Sequence, residues 1–219
     1  MKTECEILEM AFELFLEKGF SEVSTNELIR EAGLTKGGFY YCFKSREELD
    51  QKVVEKYIRP FFTKPAEKMQ EIWEGKKQDI PTEELLWNCF FMPQRFVNVQ
   101  NALGKDISFR NYYFLLYESM KKFPEVGNYF KDLNEKKSEM LHCILDRGQK
   151  RGEVAKDIDL EDCITMILAM QDGILALKVL DDNIDDEEKY KNIQKQMWRD
   201  LSAESMKKYG DGGVTSAVS

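Results

Sequence analysis

The chain has 219 residues, 42% of them hydrophobic and 12% aromatic, enough apolar mass for one sizeable core or for a small domain attached to a larger one, so a disordered chain is not expected. Glu4 and Glu6 stand where a secretory leader would be basic, no uncharged stretch approaches about 18 residues, and the five cysteines are scattered and odd in number; the reading is of a soluble cytoplasmic chain without a membrane span or a disulfide framework. The formal charge of -8 opposes a nucleic-acid footprint for the chain as a whole, yet it leaves room for a small basic face.

No repeated apolar and polar alternation bounded by hairpin signals is found, and the chain reads as helix after helix, an all-α fold. Thr3 and Glu6 stand at capping-box spacing and open the first helix. Ile7, Ala11, Leu14 and Phe15 follow at helical spacing, with Leu8 and Phe12 widening the stripe, until Lys18 and Gly19 predict a left-handed stop. Ser24 and Glu27 form a second box ahead of a two-turn helix through Leu28, Ile29 and Ala32 that ends at Gly33. After the turn at Gly33 and Leu34, Thr35 caps a third short helix. Ser45 and Glu48 make another box before a long helix carrying Leu49, Val53, Tyr57 and Phe61 towards Pro65. Beyond it, helices are predicted over about 66–76, 82–99, 107–122, 126–151, 160–180 and 186–208, with Pro93 kinking or breaking the second of these. The final Gly- and Ser-containing residues, 210–219, read as a flexible tail.

Two turns of helix, a tight glycine turn and a second short helix are the spacing of a helix-turn-helix, which lets the second helix enter a major groove. Residues 34–46 carry Lys36, Lys44 and Arg46 with no acid among them, although residues 1–52 hold eleven acidic side chains against seven basic. Lys36 is the first candidate to read a base edge, and Asn26 the second, while Gly37 and Gly38 allow close approach. Hydroxyls and free amides at helix starts, at Ser24, Thr25 and Thr35, suit phosphate oxygens. Phe39 and Phe43, four apart, read as core of the small domain.

The string GFSEVSTNELIREAGLTKGGFYYCFKSREEL resembles the DNA-binding domain of the tetracycline-repressor family over about residues 5–55. The likeness rests on Gly19 and Phe20, on Ser24, on the Ala32, Gly33, Leu34 turn, and on Thr35, Gly37, Phe39, Tyr40, Phe43, Lys44, Glu48 and Leu49. Cys42 departs from it, since many members have histidine there. The resemblance implies that Tyr40 and Arg46, with Lys44 beside them, hold phosphates. It also implies an effector pocket among the central helices, and pairing of the last two helices with those of a second subunit.

The central helices are rich in aromatic residues, and Trp87, Phe90, Phe91, Phe109, Tyr113 and Tyr117 are the candidates to line that pocket, although for any single one of them ordinary core is the favoured reading. The segment from Asp162 to Leu180 carries Ile164, Ile167, Leu168, Gln171, Leu175 and Val179, with Ala169 and Gly173 small enough for a partner helix to approach. His142 and Cys143 are adjacent and point about 100 degrees apart on a helix, which does not make a metal face. No catalytic set, cofactor motif or metal site is expected.

The expected organisation is a three-helix DNA-binding domain over residues 1–46, joined by the long helix to a helical effector-binding and dimerisation domain over 47–209, and the tail over 210–219. The expected function is a ligand-responsive regulator, in the family's usual sense a repressor, that binds a palindromic site in double-stranded DNA as a homodimer and is released by a small molecule. The alternative is a dimeric helical ligand-binding or protein-interaction module without DNA-binding function; an enzyme is a distant third.

Overall fold

A computed structural model describes residues 2–76, 80–90, 107–181 and 187–203. Among these residues the fold is all-α, with one isolated antiparallel bridge, between Val154 and Ser202, and no strand. The helices are α1 Glu4–Lys18, α2 Thr25–Ala32, α3 Lys36–Cys42, α4 Arg46–Val53, α5 Arg59–Lys76, α6 Thr82–Phe90, α7 Phe109–Lys122, α8 Pro124–Arg151, α9 Leu160–Leu180 and α10 Glu187–Leu201. A π-helical turn, Val54–Ile58, joins α4 to α5.

The first cap is a full capping box: the Thr3 hydroxyl accepts from the Glu6 amide at 3.3 Å and the Glu6 carboxylate accepts from the Thr3 amide at 2.6 Å. At Ser24 and Ser45 only the serine half forms. Glu27 turns instead to Lys18, 2.6 Å away, and Glu48 accepts from the amide of Lys44, one residue before the cap. Gly19 has the expected positive φ of 85°, but with ψ at 163° it lies outside the left-handed helical region and is not the helical stop the sequence predicts. Gly33, at φ 68° and ψ 29°, is that stop.

Pro65 does not end a helix. It lies inside α5, which runs on to Lys76, and the break in winding comes earlier, at the π turn, where the Arg59 amide reaches back five residues to the Val54 carbonyl. Pro60 follows at once and contributes no amide to the ladder. The predicted kink at Pro93 lies outside the described residues, as do Phe91 and the tail.

The chain divides into two compact units. One takes the described residues of Met1–Pro65 and Gln94–Asn134, the other those of Ala66–Pro93 and Glu135–Ser219. In the first, α1 buries Ile7, Leu8, Ala11, Phe12 and Phe15; Phe12 stacks on Tyr57 at 4.3 Å between ring centres, and Phe15 lies 4.5 Å from Phe20. Tyr112 of α7 is fully buried, its hydroxyl donating to the Tyr57 carbonyl inside the π turn at 2.8 Å, and burial pushes that phenol's pKa up.

The second unit is built around Leu85, Leu86, Leu141, Ile144, Leu145, Ile164, Ile167 and Leu201. Gly148 of α8 is needed there as glycine, because a Cβ would stand 2.6 Å from Val154 and 2.9 Å from Thr82. Glu153 closes the same corner, accepting from the Thr82 amide at the start of α6 and pairing with Arg151 at 2.8 Å. Burial would raise the pKa of this carboxyl, but its bonds from Thr82 and the charges of Arg151 and Arg147 outweigh that and hold it low.

Candidate nucleic-acid interface

The helix-turn-helix is assembled from its apolar side. Leu28 and Ala32 of α2 and Phe39 of α3 are buried, as is Phe43 just beyond α3, with the Phe39 and Phe43 rings 5.6 Å apart. Gly33 turns the chain between the two helices, and the Thr35 hydroxyl caps α3 by accepting from the Gly38 amide at 3.1 Å. With Phe39 inward, the helical period turns Gly37, Tyr40 and Tyr41 away from the core, and Lys36, the first residue of the helix, is exposed as well. Tyr40 is 45% exposed and Tyr41 89%.

A Cβ placed on Gly37 would meet nothing within 4 Å, whereas one on Gly38 would press the Thr35 hydroxyl at 3.3 Å. Gly38 therefore serves the cap, and only Gly37 leaves the outer surface of α3 open. Ser24 caps α2 and is exposed beside Asn26, with Thr25 half-buried between them. Lys44 is exposed at the far end of α3.

The acids of this head are largely engaged by local donors. Glu27 lies against Lys18, whose hydrogen bond holds the carboxyl's pKa below its ordinary range, and Glu48 is held low by the amide of Lys44. Lys52 bridges Glu4 at 2.8 Å and Glu48 at 3.4 Å. An excess of acids in the sequence thus coexists with an α3 outer face that carries a lysine and two phenols.

Arg46 lies differently from what a phosphate contact needs. Its side chain is only 14% exposed; Nε donates to the Asp50 carboxylate at 2.6 Å, Nη1 to the Val23 carbonyl at 2.6 Å and Nη2 to the Phe20 carbonyl at 3.1 Å. Its guanidinium also lies over the Phe15 ring, 5.1 Å from the centre. The fork geometry that would suit a phosphate is here fitted to two backbone carbonyls and a buried carboxylate.

The aromatic candidates separate. Phe109, Tyr113 and Tyr117 form a ladder one turn apart along α7, with ring centres 5.8 and 5.0 Å apart and the two tyrosine hydroxyls 3.2 Å from each other. Phe109 is buried, Tyr113 half-buried and Tyr117 exposed. Trp87 belongs to the second unit, half-buried against its core. The Phe90 side chain and all of Phe91 lie outside the described residues.

Sequence reading missed two features. Tyr41, beside Tyr40, is the most exposed large hydrophobic side chain among the described residues, and a helical wheel through Phe39 would have placed it outward. The other is Glu118 of α7, which accepts from the Phe20 and Ser21 amides, each at 2.8 Å, and from the Ser21 hydroxyl at 2.7 Å. No local pattern announces a contact 97 residues away in the chain.

A second surface lies on α9. Its inner face buries Cys163, Ile164, Ile167, Ile174 and Val179, while Met166, Ala169, Gly173, Leu177 and Leu180, three and four residues apart, form an exposed apolar stripe. This helix is long and apolar enough to cross a membrane by length and composition alone, although Glu161, Asp162, Asp172 and Lys178 fall within it.

Comparison with known proteins agrees with this geometry. Residues 7–52 match the family described as bacterial regulatory proteins, tetR family. The HTH-type transcriptional regulator SrpR of Pseudomonas putida is 22% identical over 177 residues, 80% of this chain and 74% of that protein. The HTH-type transcriptional repressor KstR2 of Mycobacterium tuberculosis is 22% identical over 156 residues, 71% of each chain. Among solved structures, that of the ketosteroid transcriptional regulator KstR2 superposes with a TM-score of 0.58 at 17% identity, covering 91% of this chain and 94% of the other. At that identity the likeness speaks for the fold alone.

Proposed function

We propose that this chain, which belongs to the tetR family of bacterial regulatory proteins, is a cytoplasmic, ligand-responsive repressor that binds a palindromic operator as a homodimer and is released by a small-molecule effector. The observation that carries the reading is the outward face of α3, where Lys36, Gly37, Tyr40 and Tyr41 stand clear of a core anchored by Phe39 and Phe43. An ammonium and phenol hydroxyls can bond base acceptors and phosphate oxygens, and a side-chain-free position between them admits the groove wall.

In this reading Lys36 reads a base edge, with Asn26 as a second reader. Tyr40 and Tyr41, Lys44, and the cap hydroxyls and amides of Ser24, Thr25 and Thr35 hold phosphates. Arg46 is a positioning residue, because its donors are turned to Asp50 and to the carbonyls of Val23 and Phe20. The exposed stripe on α9 supports pairing with a second copy, and a two-fold pair of heads reads a palindrome far more tightly than one small head would. The effector's site is assigned to the helical region after residue 46, with Trp87, Phe90, Phe91, Phe109, Tyr113 and Tyr117 as candidates; a ligand favouring the non-binding conformation shifts the population away from the operator.

The test is selection of sites from a random duplex library with the purified protein, then titration of the best site at several salt concentrations. A palindrome with a steep salt slope is expected, and Lys36→Ala is expected to lose about 1 to 3 kcal/mol of discrimination at one base position of each half-site. No enriched site at low salt would leave the dimeric ligand-binding module as the better reading.

A further inference from the structure

The head is tied to α7 by a closed circuit of charged groups, all within the first unit. Glu118 takes the amides of Phe20 and Ser21. In the same loop the carbonyls of Phe20 and Val23 are taken by Arg46, and Arg46 is oriented by Asp50, which is 1% exposed. The second oxygen of Asp50 accepts from Lys122 at 2.8 Å, and Lys122 stands one turn beyond Glu118 on α7. The loop so gripped, residues 19–23, ends at Ser24, the cap of α2. The fit is close at its other end too, since a Cβ on Gly19 would lie 2.6 Å from the Glu118 carboxylate.

We infer that Glu118 and Lys122 are positioning residues for operator binding: through this circuit α7 sets where the α2 N-terminus, and with it the whole head, is presented to DNA. The inference rests on the DNA-binding reading above. Two opposite charges one turn apart on a single helix grip two different elements, the loop before α2 and the body of α4. A shift of α7 along or about its axis therefore releases both contacts together, and neither residue needs to touch DNA to govern its affinity. Charged hydrogen bonds aimed at backbone amides and at a buried carboxylate are among the stronger polar contacts available for this task.

The experiment uses the full chain and the operator recovered by site selection, with Glu118→Gln and Lys122→Met, the latter keeping its aliphatic stem. Operator affinity, its salt slope, the melting temperature and amide hydrogen exchange at Phe20 and Ser21 are measured for each. The expected result is affinity about tenfold weaker, within the usual range for coupled sites, at an unchanged salt slope, with faster exchange at both amides in Glu118→Gln and a protein still fully folded at the assay temperature. A salt slope reduced by about one per head would mean direct phosphate contact and overturn the inference. Unchanged affinity with faster exchange would overturn it as well, leaving the circuit a purely structural tie. Failure of the parent chain to bind any operator would overturn the DNA-binding reading together with this one, whereas a parent that binds and variants that bind equally would sink this one alone.

Discussion

The outer faces of α3 and α9 share a plan and differ in chemistry. Each places a glycine with open space around it, Gly37 and Gly173, among exposed larger residues. On α3 those residues are Lys36, Tyr40 and Tyr41; on α9 they are Met166, Leu177 and Leu180, the last 75% exposed. A charged and phenolic face gains most from an anionic, hydrogen-bonding partner. A face of methyl and methylene groups gains by leaving water, at about 1.5 to 3 kcal/mol for each such side chain fully covered. The glycine only leaves room for a close approach; the flanking side chains set what kind of partner would gain by making it.

The largest effect should come from reversing the chemistry of α9. Leu177 is half exposed in the single chain, so Leu177→Asp leaves the fold of one copy intact and introduces a charge where a second copy would meet it. Sedimentation velocity is expected to show a monomer in place of a dimer. Operator affinity is expected to fall by about 100-fold or more, because the second head loses the high effective concentration that its tether supplies. A dimer of undiminished stability in this variant would remove α9 from the interface and break the comparison at one end.

These two faces were legible in the sequence to different degrees, for physical reasons. Caps and glycine turns are local, so Thr3, Ser24, Thr35, Ser45 and Gly33 could be read directly, and the buried positions of the head followed from helical period. The reciprocal halves of two caps could not, because Glu27 and Glu48 had better partners in Lys18 and the Lys44 amide. Arg46 reads as a surface cation until Val23, Phe20 and Asp50 are brought around it. The π turn is met by a hydroxyl from Tyr112, 55 residues away, and no spacing rule reaches that far. On α9, Ala169 and Gly173 marked the outer face in advance, but which of the larger residues would remain in water was decided by packing in the second unit.

A smaller effect, with opposite signs in two assays, should come from Gly37→Ala. Alanine in a helix is favoured over glycine by about 0.5 to 1 kcal/mol, and the added methyl finds nothing within 4 Å to strain against. The melting temperature should therefore rise slightly. If α3 sits against the groove wall at this position, operator affinity should fall several-fold in the same variant. Higher stability with unchanged affinity would mean that Gly37 is merely tolerated on the surface, and the parallel with Gly173 would fail.

The smallest effect compares the two units in acid. In the first unit, Glu6 is held below its ordinary value near 4.5 by the Thr3 amide, Glu27 by Lys18, Glu47 by backbone and Ser45 donors, and Glu48 by the Lys44 amide; in the second, Glu153 is held low at the start of α6. A carboxylate depressed on folding contributes stability that is fully present above its unfolded value. That contribution is lost as pH falls through the lower folded value. All four head carboxylates lie at the surface, Glu6 and Glu47 exposed and Glu27 and Glu48 half-buried, so solvent screens them and each contributes little, but together they cap and bridge α1, α2 and α4. The three tryptophans, Trp73, Trp87 and Trp198, all lie in the second unit, so their fluorescence reports that unit alone while far-ultraviolet circular dichroism reports every helix. On acidification below about pH 4.5, part of the helical signal should be lost before the tryptophan emission moves. Emission that shifts first, or in step with the helical signal, would place the acid-labile contacts in the second unit and assign the greater sensitivity to Glu153 and its corner.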